Sequence, residues 1–151
     1  MKKICLALLC VLALSAQAEP TAQEKAVFEQ QIMPAYQRGD WDTVKRLCNK
    51  MADTTKDMEV QVAMRQMAIK ADVLHGTTAL QRGDGKTALK YLTLAANAGD
   101  TNAMSLMGTM YMTGAGGIIP DRARGVSLIQ QAARLGDTGA QDHCRRLHIG
   151  W

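Results

Sequence analysis

The sequence predicts an all-α protein, a solenoid of stacked antiparallel helix pairs. Three observations support this fold class. Ala, Leu and Met are abundant whereas only 4% of the residues are aromatic, and this composition favours helices over strands. Short sequence units recur at spacings of 32 to 44 residues, which is typical of helical-hairpin repeats. Gly-Asp pairs punctuate the helical stretches, and such a pair suits a junction between two helices.

The first 18 residues are predicted to be a secretory signal rather than part of the fold. Lys2 and Lys3 precede an apolar stretch from Ile4 to Leu14, and an Ala-x-Ala pattern ends at Ala18. This order of basic, apolar and small residues is typical of a signal cleaved after Ala18. The apolar stretch is shorter than the ~20 residues of a membrane-spanning helix. We therefore expect a periplasmic or secreted protein without stable membrane insertion.

The mature chain would run from Glu19 to Trp151, a length that fits one domain. Without Lys2 and Lys3 it carries 16 basic and 14 acidic residues and has no run of Lys or Arg. This near balance of charge argues against a nucleic-acid partner. Lipid attachment at Cys10 is the alternative to cleavage, but a bulky Leu precedes that cysteine.

Internal repeats define the predicted helices. Three units occur twice: residues 37–40 and 81–84, residues 99–103 and 136–140, and residues 71–77 and 103–109. The second and third units repeat at 37 and 32 residues, and the difference falls in the Gly-rich segment 114–120, which is predicted to be a loop. The predicted helices span about 22–38, 41–52, 57–82, 85–98, 101–113, 121–135 and 138–148.

The helix junctions and helix interiors use glycine for different reasons. At the junctions, glycine can close a helix in the left-handed conformation, and the Asp after it can cap the next helix. These junction glycines are Gly39, Gly83, Gly99 and Gly136. Gly76 and Gly108 instead lie inside predicted helices, where each costs about 1 kcal/mol relative to Ala. Because the cost recurs at equivalent positions, we expect a neighbouring backbone that leaves no room for a side chain.

Residues 103–141 resemble a Sel1-like repeat. The family pattern is Ala, then Leu-Gly, then Tyr three residues later, then Gly. Residues 103–114 carry it as Ala103, Met107-Gly108 with Met in place of Leu, Tyr111 and Gly114. The pattern continues with Gly116, Asp121, Arg124-Gly125, Ala132-Ala133 and Gly136-Asp137-x-x-Ala140-Gln141. Residues 71–100 resemble the repeat less closely, and residues 28–52 resemble a generic tetratricopeptide-type hairpin.

The resemblance implies a right-handed superhelix with an exposed concave face. After the predicted signal peptide (1–18), it implies a tetratricopeptide-like hairpin (19–56), Sel1-like repeats (57–137) and a capping helix (138–151). In tetratricopeptide-type hairpins the first helix of each pair lines the concave face, which binds a peptide or a protein partner. Carried over by position, the residues that bind the partner are Lys70, Val73, Thr77, Gln81, Asn102, Ser105, Thr109 and Met112.

Two other functions are compatible with the resemblance. Some exported Sel1-like proteins are immunity proteins that neutralise an envelope-acting toxin, and others are linked to hydrolysis of cell-wall material or β-lactams. The mature chain has only Ser105 and Ser127 as serines, and neither begins an S-x-x-K motif. We therefore predict a binding protein rather than an enzyme. The two Arg-Gly-Asp tripeptides lie at helix junctions and are assigned to capping rather than to cell adhesion.

The sulfur-containing residues are interpreted as core. Cys48 and Cys144 stand at apolar positions of the repeats, so buried free thiols are favoured over a disulfide. Cys144 and His148 are four residues apart, but no third ligand is evident, so we predict neither a metal nor another cofactor. The methionine series Met104, Met107 and Met110 could bind Cu(I), but Met107 fills the apolar position before Gly108, so packing in the core or an adaptable peptide-binding surface is favoured.

Overall fold

A computed structural model describes residues 20–151, and within this range every element of regular secondary structure is helical. The predicted signal peptide, with its cleavage site at Ala18 and the alternative lipid site at Cys10, lies outside the described residues and stays a prediction. In residues 20–151, none of the helices combines the length and the apolar character that crossing a membrane requires.

The observed helices lie within two residues of the predicted boundaries. The elements are α1 (Ala22–Val27), a π-helical turn (Phe28–Ile32), α2 (Met33–Gln37), α3 (Trp41–Thr54), α4 (Met58–Gln81), α5 (Gly85–Asn97), α6 (Thr101–Thr113), a 3₁₀ turn (Ala115–Gly117), α7 (Arg122–Arg134) and α8 (Thr138–Arg146). Helices that follow each other in the chain pack as pairs, and the predicted all-α class of stacked helix pairs is confirmed.

The π-helical turn interrupts the first predicted helix, and this interruption was not predicted. Pro34 lies two residues after the turn and has no backbone N–H. In a regular α-helix its ring would also collide with the carbonyl of Gln30, four residues earlier. In the π turn the N–H of Met33 instead donates to the carbonyl of Phe28, and the wider spacing accommodates the proline.

The chain forms two compact units that meet in sequence between Ala71 and Asp72, within α4. In the first unit, α2 packs against α3, and the rings of Tyr36 and Trp41 meet edge to face at the turn between them, with centroids 5.3 Å apart. The core of this unit consists of Ile32, Ala35, Val44, Leu47, Cys48, Met51, Ala52, Val60, Met64, Met67, Ala68 and Ala71. The predicted domain division stays a prediction.

In the second unit each helix from α5 to α8 packs against the next helix in the chain. A buried cluster joins α6, α7 and α8 and consists of Met104, Ile129, Ala132, Ala133, Ala140 and Cys144. Most of these side chains are small, so the helices approach closely. The last helix, α8, buries Ala140 and Cys144 and exposes Arg145 and Arg146, which suits a helix with one face toward solvent.

The Gly-Asp junctions have the predicted conformation. The glycines adopt left-handed φ angles of +70°, +78°, +91° and +92° at Gly39, Gly83, Gly99 and Gly136. The Asp after each glycine then accepts a hydrogen bond from the N–H three residues later, as in the 2.9 Å bond from Ala103 N to Asp100 Oδ1. The same cap occurs at Asp40, Asp84 and Asp137.

The glycines inside helices are packing sites, as predicted. A Cβ atom on Gly76 would lie 2.7 Å from Leu92 Cγ, and one on Gly108 would lie 2.6 Å from Ile129 Cγ1. Gly125 faces Gly108 across the second contact, where a Cβ on Gly108 would lie 2.9 Å from the Gly125 carbonyl oxygen. Equivalent glycines thus let α4 approach α5 and let α6 approach α7.

Candidate partner-binding surface

The predicted partner-binding residues form two rows, one on α4 and one on α6. On α4, Gln81 is exposed at the end of the helix, and Val73 and Thr77 are half-buried. Lys70 is exposed on the same helix but belongs to the first unit. Spacings of four residues place Val73, Thr77 and Gln81 on one face of α4.

On α6, Asn102 and Thr109 are exposed and Ser105 is half-buried. Their spacing of three and four residues places them along one face of the helix. Met112 continues the row but is half-buried, and it packs against the buried cluster of the second unit. A Cβ atom on Gly125 would lie 2.5 Å from Met112 Cγ, so this methionine also fixes the contact between α6 and α7.

Thr77 and Thr109 occupy equivalent positions directly after the packed glycines. The Thr77 hydroxyl donates to the Leu74 carbonyl at 3.0 Å, and the Thr109 hydroxyl donates to the Ser105 carbonyl at 3.1 Å. Each hydroxyl proton is therefore used within its own helix, whereas the hydroxyl oxygen keeps capacity to accept a hydrogen bond. Each row therefore carries one threonine oxygen that can still accept a hydrogen bond.

Two aromatic contacts beside the predicted rows were not foreseen. The guanidinium of Arg124 lies 4.3 Å from the ring centroid of Tyr111, a cation–π contact that joins α7 to α6. The rings of His75 and Tyr91 stack with centroids 3.6 Å apart and join α4 to α5. Tyr111 and Arg124 both belong to the family pattern. Their contact could not be predicted from the sequence, because it depends on how α6 and α7 pack together.

The two cysteines of the described chain are buried free thiols, as the sequence predicted. Burial raises the pKa of the Cys48 thiol from 9.0 to about 12. Cys144 is completely buried between α7 and α8, whereas His148 is exposed. Among residues 20–151 no three His, Cys, Asp or Glu side chains are grouped so that they could hold a metal ion.

The methionine series lies in the core. Met104, Met107 and Met110 are at most 6% exposed, so their thioethers fill space between helices. The hydroxyl of Thr93 on α5 lies 3.8 Å from the sulfur of Met107 on α6, at the range of a weak hydrogen bond. The core interpretation of this series is confirmed.

A cleft in the first unit was not predicted. It has a volume of about 580 Å³ and lies between the start of α1, the end of α3 and the loop that leads to α4. Its apolar lining is provided by Val27, Leu47 and Met51, and its polar lining includes Glu24, Gln31, Lys50, Lys56 and Asp57. These residues come from three separate segments, so no local sequence pattern could have revealed the cleft.

The N-terminal end of the cleft is fixed by a capping box, a T-x-x-E pattern that the sequence does contain. The N–H of Thr21 donates to Glu24 Oε2 at 2.7 Å, and the Thr21 hydroxyl accepts from the N–H of Glu24 at 3.3 Å. A hydrogen bond from Thr55, followed by those from Thr21, lowers the pKa of Glu24 although burial acts against the shift. Glu24 is therefore ionised at neutral pH.

Comparison with known proteins gives one family. The sequence model of the Sel1 repeat matches residues 61–100 and 101–137, which together are half of the chain. Searches of curated proteins and of solved structures gave no match. The two matched segments contain both packed glycines, Gly76 and Gly108, and the threonines that follow them. The chain belongs to the Sel1 repeat family.

Proposed function

We propose that this protein is an exported interaction module that binds a peptide or a protein partner through the rows on α4 and α6. The Sel1 repeat is a scaffold for protein interactions, which supports binding rather than catalysis. The observation that carries the proposal is the recurrence of one arrangement in both repeats. In each, a glycine packed against the second helix precedes a threonine whose hydroxyl bonds its own helix.

This arrangement suits a binding surface because the residues that hold each helix pair together are not the residues on the predicted binding face. Gly76 and Gly108 fix the backbone by close packing, so the neighbouring positions need no large side chain for stability. The positions that remain on the predicted face are small or polar: Val73, Thr77, Gln81, Asn102, Ser105 and Thr109. Small side chains on a preorganised backbone let a partner approach closely at a low entropic cost.

Charged substitutions on α6 test the proposed surface. Ser105→Glu combined with Thr109→Arg places two bulky charges on the predicted face, and we expect it to reduce partner recovery from the native envelope fraction at least about tenfold. Ser127→Glu on α7 is the matched control, because Ser127 is exposed on the second helix of the same pair. Circular dichroism checks that both variants keep the helical fold. Equal recovery of the partner by both variants would place the binding surface elsewhere.

Export is proposed from the order of residues at the start of the chain. Two lysines, an apolar stretch and an Ala-x-Ala pattern precede Glu19, an order typical of cleaved signals. Mass spectrometry of the protein purified from its native host should find an N-terminus at Glu19. Ala16→Asp removes one small residue of the cleavage pattern and should cause the uncleaved chain to accumulate. A native protein that keeps its first 18 residues would contradict export by cleavage.

A further inference from the structure

We propose that the cleft in the first unit binds a peptide that carries a carboxylate beside an apolar side chain. This site is separate from the rows on α4 and α6 and does not depend on them. The cleft volume of about 580 Å³ falls within the range of sites that take small ligands or short peptide segments. Three features of its lining suit such a ligand: an apolar floor, carboxylates that already accept hydrogen bonds from the chain, and lysines that form no ion pair within the described residues.

The floor accepts an apolar side chain. Leu47 and Met51 are 8% and 6% exposed, and Val27 is half-buried beside them. Leu47 and Met51 are members of the core of the first unit and are held by its packing. The floor is therefore held in place on the side of α3.

The two carboxylates in the lining already accept hydrogen bonds from the chain itself. Glu24 accepts from the N–H and the hydroxyl of Thr21 at 2.7 and 2.9 Å. Asp57 caps α4, where its Oδ1 accepts from the N–H groups of Glu59 and Val60 at 2.8 and 3.1 Å. These acidic groups serve as helix caps, and within residues 20–151 neither forms an ion pair with a lysine of the cleft.

Lys50 and Lys56 supply the charge that a ligand would meet. Both side chains are exposed and line the cleft, and within residues 20–151 the structure gives neither ammonium group an ion pair. A ligand carboxylate can therefore pair with them without breaking an existing contact. An ammonium beside an apolar floor is complementary to a ligand in which a carboxylate adjoins an apolar group.

The polar walls favour a peptide over a fatty acid. Gln23, Gln31 and Thr54 line the cleft together with the apolar floor. Side-chain amides can pair with both the N–H and the C=O of a peptide backbone. The Thr54 hydroxyl donates to the Lys50 carbonyl at 2.9 Å, and its oxygen can still accept from a peptide N–H. A hydrocarbon chain would leave these groups unpaired, which costs free energy.

The test uses NMR with ¹⁵N-labelled protein and three probes. The first probe, N-acetyl-Ala-Leu-Leu with a free C-terminal carboxylate, presents the proposed group at a chain end. The second probe is the same peptide with a C-terminal amide, which lacks the charge. N-acetyl-Leu-Glu-Leu-amide presents the carboxylate on a side chain. At about 10 mM peptide, enough to detect a millimolar complex, the acidic probes should shift the backbone N–H signals of Val27, Lys50, Met51 and Thr54. The acidic probe that binds more tightly identifies the source of the carboxylate.

Substitutions assign the charge recognition to the two lysines. The free acid should bind about three to five times more tightly than its amide, the gain of an exposed ion pair. Lys50→Gln combined with Lys56→Gln should abolish that difference, whereas Lys86→Gln, an exposed lysine of the second unit, should preserve it. The proposal is overturned by equal binding of acid and amide to the unsubstituted protein, by an acid preference that survives the double substitution, or by signal changes only outside the cleft.

Discussion

At the scale of single residues, the stability of the second unit depends on glycines at the contacts between its helices. Gly108 lies in the middle of α6, where glycine is a poor helix former. Its Cα faces Ile129 and the Gly125 carbonyl so closely that a Cβ would lie 2.6 and 2.9 Å from their atoms. The loss in helix propensity is offset by the dispersion contacts of a close helix pair.

Gly108→Ala should therefore destabilise the protein even though alanine favours helices. The added methyl group has to displace the Gly125 carbonyl, which belongs to the α7 backbone and cannot rotate away. We expect the free energy of unfolding to fall by about 1–3 kcal/mol, the usual cost of overpacking, as measured by urea denaturation. Gly139→Ala in α8 is the control, because its Cβ would meet only the Asp137 side chain, at 3.3 Å. A stabilising Gly108→Ala would show that α6 and α7 are not closely packed at this point.

A second prediction at this scale concerns the thiol of Cys48. Burial raises its pKa from 9.0 to about 12, so the folded state retains a proton that the unfolded state loses above pH 9. Stability is unaffected below pH 9 and falls as the pH rises from 9 toward 12, by up to about 1.4 kcal/mol per pH unit. Urea titrations of the natural protein and of Cys48→Ala at pH 8 and pH 10 isolate this contribution. Equal pH dependence in the two proteins would contradict it.

At the scale of elements, the Gly-Asp junctions set where helices end and begin. Glycine closes one helix with a positive φ, and the next residue caps the following helix, so three residues suffice for each connection. Both functions depend on residue type and short spacing. For this reason the helix boundaries could be predicted from sequence to within two residues. The π-helical turn could not, because a proline near a helix end is compatible with a kink, a break or a wider turn.

The cap of α8 gives a prediction at the element scale. Asp137 Oδ1 accepts from the N–H of Ala140 at 2.7 Å, and Asp137 is half-buried. Asp137→Ala should lower the free energy of unfolding by about 1 kcal/mol, whereas Asp137→Asn should retain most of the cap. The control is Asp142→Ala, which removes only an exposed ion pair with Arg145 and should change stability by less than about 1 kcal/mol. Equal losses for both alanine variants would mean that the cap contributes no more than a surface ion pair.

At the scale of the whole molecule, the fold could be predicted from the sequence, whereas the cleft of the first unit could not. Repeats can be recognised by periodic glycines and alanines, because the helices of every repeat need small residues at the same packing positions. The cleft of the first unit has no such periodicity, because Glu24, Leu47 and Asp57 come from different elements and only the folded hairpin brings them together. Binding sites built in this way need the structure.

The division into two compact units predicts which helices unfold locally when one unit is destabilised. Each unit has its own buried core, and α4 is the single helix that runs through the boundary at Ala71. In repeat proteins a local loss of stability spreads only as far as nearest-neighbour coupling carries it. Gly108→Ala should therefore accelerate amide hydrogen exchange in α6 and α7 at least about fivefold, while exchange in α3 changes less than about twofold. Hydrogen exchange followed by mass spectrometry measures both regions at once, with Gly139→Ala as the control. Equal acceleration in α3 and α6 would instead show that the two cores unfold as one cooperative body, because protection in α3 would then depend on packing at Gly108.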